Sequence, residues 1–425
     1  MTTANGTAQA VDLAPTKGVS ATQVGVVFAC TVGNIFGPTA IVYACFGLFL
    51  IPITTDFAWS RAQVSGVLGP VALLTAIVYP TMGRLTDRFG SRGPILIGAA
   101  AFGLAVMALS ATRPNLAQFY VQFALVGLFG ACASAMMYSR VISGWFDRAR
   151  GAMLGLALGL GNGVGATAIP VLALLLMSRF GWRGAYLGLG TLILLISCPV
   201  LFFLMKEPPP HEASDPGTLA EPPGLTLMQA ARTLNFWMML IAIALGAGCM
   251  NAVLAHVVPI LLDRGFSVAQ GTAVVSVFAM VTSGWQIAVG WLLDKTGSPR
   301  MVAPLYLTAV GGLLLLEHAT SLPMQLVGGT LMGLGMGTEF GALSYFVSRY
   351  FGLKRFGLII GVMYSAVALG LGVIPYLMDV DFDAHKTYLL SLHVIDAAMT
   401  LGGLVLAGLP PYQTIAARWS QPAHG

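Results

Sequence analysis

Charge is what this sequence has least of: Asp, Glu, Lys and Arg make up 9% of its 425 residues, against roughly 25% in an average soluble domain. A water-soluble enzyme is thereby excluded. Cysteine is scarce as well. Cys30, Cys45, Cys132, Cys198 and Cys249 all sit inside apolar stretches, in no C-x-x-C or Cys/His spacing, so neither a disulfide framework nor a metal site is expected. Residues 1–20 lack a basic start followed by an apolar core, and no cleavable signal peptide is expected. Polar and apolar residues do not alternate either: runs such as 192–204 are apolar all round, which excludes an outer-membrane barrel. What is present is apolar bulk. Hydrophobic residues are 57% of the chain, roughly 240 in number, enough for on the order of a dozen membrane helices at about 20 residues each.

Splitting the chain at its polar breaks gives twelve segments, 22–52, 63–82, 94–112, 116–142, 151–177, 184–205, 233–259, 268–292, 301–319, 323–349, 357–378 and 387–409. The expected fold is an all-α membrane protein of twelve spans. With the N-terminus in the cytoplasm, 15 of the 21 Lys and Arg residues fall on the inner side and 6 on the outer, so the positive-inside rule places both termini in the cytoplasm of a cell whose inner membrane the chain crosses. The net charge of +5 is topological, and no nucleic-acid partner is expected. Between the sixth and seventh segments, 206–232 carries Pro208, Pro209, Pro210, Pro216, Pro222 and Pro223 among charged residues, which reads as a tether. The expected organisation is a tail at 1–21, a six-helix bundle at 22–205, a linker at 206–232, a second bundle at 233–409 and a tail at 410–425.

The two halves repeat. A shift of 207 places Pro52, Asp56, Ser60 and Gln63 on Pro259, Asp263, Ser267 and Gln270, and places Gly83, Asp87 and Gly90 on Gly290, Asp294 and Gly297. A shift of 206 places Gly151 and Gly155 on Gly357 and Gly361. One offset held across several loops marks a duplicated six-span unit with a pseudo-two-fold axis along the membrane normal.

The loop Gly83-Arg-Leu-Thr-Asp87-Arg88-Phe-Gly90-Ser-Arg92, with its echo Gly290-Trp-Leu-Leu-Asp294-Lys295-Thr-Gly297-Ser-Pro-Arg300, resembles the G-x-L-x-D-R-x-G-x-R motif of the major facilitator superfamily. That resemblance implies gating roles for these residues, with topology signalling as the plainer alternative. Within the superfamily the chain resembles the monocarboxylate-transporter-like and oxalate/formate-antiporter-like branch. The matching stretches are Trp59-Ser60-Arg61, Tyr138-Ser139-Arg140, Trp145-Phe146-Asp147-Arg148, Gly181-Trp182-Arg183 and Glu339 through Gly352. The resemblance implies transport of a small organic anion. It departs in two places: 268–292 holds no ionisable residue, where studied members carry an Arg, and the span-one Lys of animal members is missing.

Ionisable groups at membrane depth cost at least about 2.5–3.5 kcal/mol and are functional candidates by default. Glu339 stands 10 residues before Arg349, near the bilayer middle, and is either a proton-responsive acid or a member of a fixed polar network. His393 and Asp396 share one helix face, as a proton site or as a structural pair. Arg140 is either a bidentate partner for a carboxylate or an anchor that snorkels to the inner interface. Asn34, Tyr43, Asn162, Asn251, Tyr345 and Tyr364 are neutral groups that can orient a substrate or serve helix packing. The glycine strings at 155–165 and 329–341 lack the strand and Lys of a nucleotide loop and read as packing faces; no cofactor is expected. The expected function is secondary active transport of a small organic anion, a carboxylate, coupled to a proton or a counter-anion, by a monomer that rocks between two access states. Export of a drug-like or uncharged solute by proton antiport is the alternative.

Overall fold

The computed structural model describes residues 20–147, 149–208, 222–296 and 299–411. Gly297 of the second loop motif, most of the proline-rich tether and most of both tails lie outside the described residues. Within them, regular structure is helical. Ten helical stretches are long and apolar enough to cross a membrane. One of them, Arg150–Leu204, is two spans in sequence. It breaks at Gly181, whose φ of +67° suits glycine. A further helix, Leu322–Phe351, has the length at 30 residues, diluted by glycine and polar side chains. The count is twelve, as the sequence requires.

Span one runs from Ala21–Ile35 through a π-helical turn, Thr39–Ala44, to Phe46–Phe57. Span two is Leu68–Phe89, span three Arg92–Ala108, and span four Leu116–Cys132 continued by Ala135–Trp145. Span five begins at Arg150–Leu154 and ends at the Gly181 break, and span six follows as 182–204. Spans seven to twelve are Leu234–Asp263, Val268–Thr296, Val302–His318, Leu322–Phe351, Phe356–His385 and Leu389–Ala407. We call the face on which span one begins the inner face and the opposite one the outer face.

Part of the repeat is now explained by helix chemistry. Ser60 and Gln63 exchange two hydrogen bonds, 2.9 and 3.1 Å, and Ser267 and Gln270 do the same at 2.8 and 3.2 Å. Each pair is a capping box that satisfies N–H groups left open where a helix starts. The glycine strings prove to be packing faces. Gly329, Gly333, Gly337 and Gly341 lie along Val274, Phe278, Thr282 and Gln286 of span eight, while Gly155, Gly159 and Gly163 of span five meet Gln286 and Ser283 on the same span. Span eight is thus clasped between two glycine surfaces, one from each half, over the stretch 268–292 that holds no ionisable residue.

Two buried clusters form the interior. One lies wholly in the first half and includes Phe49, Val71, Phe102, Phe123 and Tyr186. The other fills the second half and crosses into the first through Val26, Cys30, Met136, Tyr138 and Leu158, all from the inner portions of their spans. The halves therefore share an interior towards the inner face. The end of the tether is tied there too: Leu225 N–H donates to the Phe351 carbonyl (2.8 Å) and Leu353 N–H to that of Pro223 (3.0 Å).

Candidate functional site

At the inner face the loop-motif acids do the same work twice. The Asp87 carboxylate accepts from the N–H groups of Gly357 and Leu358, both at 2.9 Å, at the start of span eleven. Asp294 accepts from Gly151 (3.0 Å) and Ala152 (2.8 Å) at the start of span five. The first N–H groups of a helix have no partner within it, and the helix dipole favours negative charge at that end. Each half thus supplies an acid that caps a helix of the other. Residues 151 and 357 are the positions that the repeat superposes, so one ancestral contact accounts for both. Close approach makes it possible: a Cβ on Gly83 would overlap the Gly357 carbonyl, and one on Gly290 would overlap that of Gly151.

The remaining motif residues brace these contacts. Gly90, at φ +82°, lies against the Glu207 carboxylate, which accepts from Arg92 N–H, and the Arg92 guanidinium donates to the Phe202 carbonyl at 2.8 Å. Arg88 lies over the Phe89 ring and Lys295 over the Trp291 ring. Arg300 lies in the turn Pro299–Met301. A further bond across the halves joins Arg349 to Asp147 at 2.9 Å, and Asp147 also takes Arg150 at 3.3 Å.

Arg140 belongs to this layer. Its Nε and second terminal nitrogen both lie 3.1 Å from Asp87 Oδ1, and it donates to Ser91 Oγ at 3.2 Å. In this conformation the guanidinium is committed to Asp87 and Ser91 at the inner face, which sequence could not show because depth does not reveal a partner. Tyr345 lies in the same layer: its hydroxyl donates to the Leu293 carbonyl (3.2 Å) and its ring carries the Arg349 guanidinium.

Above these contacts the halves meet through aromatic rings. The rings of Tyr79 in span two and Tyr364 in span eleven stand edge to face at 5.9 Å. Tyr43 of span one and Ser134 of span four lie within interaction range of Tyr79, and Ser344 of span ten faces Tyr364. Tyr43 is 44% accessible. Tyr43 and Tyr364 are among the candidates from sequence, and Tyr79 is not. The missing signal was its repeat mate at a shift of 207, the buried polar Gln286. Among the described residues, Lys and Arg occupy the ends of the spans and none enters this tyrosine layer.

The other neutral candidates are dispersed. Asn34 is buried and spends its amide on the Leu158 carbonyl at 2.9 Å, tying span one to span five. Asn162 has its side-chain oxygen buried without a protein donor. Asn251 is half-buried in span seven.

Glu339 is buried inside the second half, against Gly246 and Tyr306, with the Ala247 N–H approaching it. Neither oxygen completes a hydrogen bond, and no cation lies beside it among the described residues. His393 and Asp396 do not bond each other as their spacing suggested. Both turn to Glu317 of span nine, whose side chain is 1% exposed: His393 Nε2 lies 3.6 Å from Glu317 Oε2, and the Asp396 carboxyl faces that of Glu317. Two acceptor carboxyls can share a hydrogen bond only through a proton. Two recesses of about 490 and 570 Å³ are apolar grooves beside spans one, five and eight, lined by residues such as Val24, Phe28, Leu156 and Trp291. They are not part of the tyrosine layer.

The model of the Major Facilitator Superfamily matches residues 32–375. The chain is 29% identical over 373 residues to the human protein named monocarboxylate transporter 11, covering 84% of this chain and 75% of the relative. It is 25% identical over 386 residues to the gallate transporter of Pseudomonas putida, covering 78% and 82%. In structure it is similar to the E. coli fucose:proton symporter, with a TM-score of 0.68 at 15% identity, over 95% of this chain and all of that one. The chain belongs to the Major Facilitator Superfamily; it is a multi-pass secondary transporter and not an enzyme.

Proposed function

We propose that this transporter carries a small carboxylate together with a proton, by rocking its two six-helix halves about the seams described above. The bundles would be 22–205 and 233–409, with the tether and both termini in the cytoplasm of a bacterial-type cell and the inner face towards that cytoplasm. The observation that carries the reading is the tyrosine layer formed by Tyr43, Tyr79 and Tyr364, where both halves present hydroxyl donors and, among the described residues, neither presents a fixed cation. Hydroxyl groups can donate to a carboxylate, but an anion taken from water into such a layer costs several kcal/mol unless its charge is compensated. A co-transported proton supplies that compensation, and symport of acid anion and proton is electroneutral. The names of the relatives, monocarboxylate and gallate transporters, support a carboxylate cargo. Glu339 and the Glu317–Asp396 pair are the groups of the second half that we assign to holding protons during the cycle.

The test is uptake into proteoliposomes of labelled aliphatic and aromatic monocarboxylates, with and without a pH gradient. Accumulation of at least one acid only when the gradient is imposed is the expected result. Equal uptake without a gradient removes the proton, and failure with every acid removes the carboxylate. Extrusion of an uncharged solute in exchange for protons would establish the antiport alternative. In Glu339→Gln, gradient-driven accumulation should fall while exchange persists; unchanged accumulation would release Glu339 from coupling.

A further inference from the structure

At the outer end of the second half, His256 of span seven faces Asp379 of span eleven. His256 Nδ1 lies 2.7 Å from the Ala252 carbonyl oxygen, and Nε2 lies 2.9 Å from Asp379 Oδ1. Both neighbours are acceptors, whereas a neutral imidazole has a single N–H. With one N–H, one of these contacts would set lone pair against lone pair inside 3 Å. The geometry therefore needs one more proton than the neutral ring and an ionised carboxylate hold between them. The Ala252 carbonyl is four residues back on the same helix, which fixes the Nδ1–H. The exchangeable proton lies on Nε2, facing Asp379. Because a carboxylic acid is the stronger acid in general, and because the Asp379 side chain is 63% exposed, the loaded form is imidazolium beside carboxylate.

The surroundings suit a cation. The Tyr388 ring stands 5.4 Å from the imidazole and stacks on Phe382 at 4.5 Å. Burial, with Asp379, Asp263 and Asp383 nearby, pushes the Tyr388 hydroxyl up, so it stays neutral. Among the neighbouring charges, Lys386 lies 3.9 Å from Asp383, His385 pairs with Asp381 at 2.8 Å, and Arg264 donates to the Leu316 and Ala319 carbonyls. Span eight offers no ionisable side chain at 268–293, and His393 and Asp396 of span twelve turn to Glu317. The first half has no equivalent: a shift of 207 puts Phe49 in the place of His256, stacked on Tyr186 at 3.8 Å. Each helix of the pair also carries an internal proline within four residues of it, Pro259 and Pro375. A proline removes a backbone donor and clashes with the preceding turn, which weakens both helices beside the pair.

We infer that His256 and Asp379 form a proton-binding site at the outer end of the second half, where a proton from the outer medium enters the transport cycle. Its role in transport rests on the proton-coupled reading above; the bound proton itself rests on the geometry.

The experiment has two arms, both on the full-length protein. In detergent, nitrogen NMR of ring-labelled histidine follows His256, identified by the signal lost in His256→Gln. Both ring nitrogens should be protonated at the acid end of about pH 5 to 8, with one proton lost on raising the pH. Asp379→Asn should weaken that proton at least tenfold. A ring neutral throughout, or a titration indifferent to Asp379→Asn, overturns the site whatever the cargo is. In proteoliposomes, His256→Gln and Asp379→Asn should each lower gradient-driven accumulation at least tenfold while exchange of labelled for unlabelled acid stays within about twofold. Accumulation equal to wild type in both variants overturns the coupling role. Absence of accumulation by wild type itself instead counts against the carboxylate–proton reading, and the NMR arm still decides the site.

Discussion

Where span two meets span eleven, Asp87 holds two backbone N–H groups and the Arg140 guanidinium. Where span eight meets span five, Asp294 holds two N–H groups and, among the described residues, no guanidinium at ion-pair distance. The first seam continues upward through a Ser365 hydroxyl donated to the Ala76 carbonyl and through the Tyr79–Tyr364 pair. The second continues as glycine against Gln286 and Ser283. Duplication supplied the same acid, the same helix start and the same glycine contact on both sides. Above its acid the first seam is polar, whereas the second is glycine packed on span eight. A pair of seams with unequal grip can serve as anchor and slide, and that division is open to experiment.

The largest effect is expected where the two seams are alike. Gly83→Val and Gly290→Val each place side-chain atoms on an opposing carbonyl, so uptake should fall by about a hundredfold or more in both, the overlap being incompatible with a close-packed interface. If either variant transports normally, that seam does not close during the cycle. Next comes the difference between the acids. Asp87→Asn strands a largely buried guanidinium as well as loosening a helix cap, a loss of about 3–5 kcal/mol for breaking such a pair; Asp294→Asn loosens the cap alone, about 1 kcal/mol. The midpoint of thermal unfolding in detergent should drop clearly further for the first, and equal drops would erase the distinction.

Third, Tyr79→Phe and Tyr364→Phe should each raise the KM for the transported acid roughly tenfold, the worth of one hydrogen bond to a charged group. Gln286→Leu, at the matching place in the smooth seam, should leave KM within about twofold. A response of all three alike would place substrate against both seams. The smallest effect is expected for Arg140→Lys, which keeps the charge and loses the fork. Turnover should fall a few-fold at constant KM, and a raised KM would return Arg140 to the substrate.

Much of this was legible before any coordinates. The offset of 207 paired the loops and set Ser60 and Gln63 on Ser267 and Gln270, whose role as capping boxes the structure added, because a helix start and a tight crossing each demand particular residue types at fixed spacing. The second offset, 206, already superposed the two helix starts that the acids cap. What could not be read were partners drawn from distant spans. The i, i+3 spacing of His393 and Asp396 suggested a mutual bond, and both instead face Glu317 of another helix. Arg140 had the right depth for a cargo ligand and the wrong neighbour. His256 and Asp379 lie 123 residues apart, and nothing local in either helix announces the other. Tyr79 was passed over because a tyrosine beside a proline in an apolar run reads as filling.

The shared interior has a consequence for how this protein melts. Two bodies that pool their buried surface on one face unfold as a single cooperative unit for as long as that face is closed. Once the face opens, each half keeps only its own core, and the pair is free to denature in two steps. The shape of the unfolding curve would then report which way the molecule faces, with no cargo or label required.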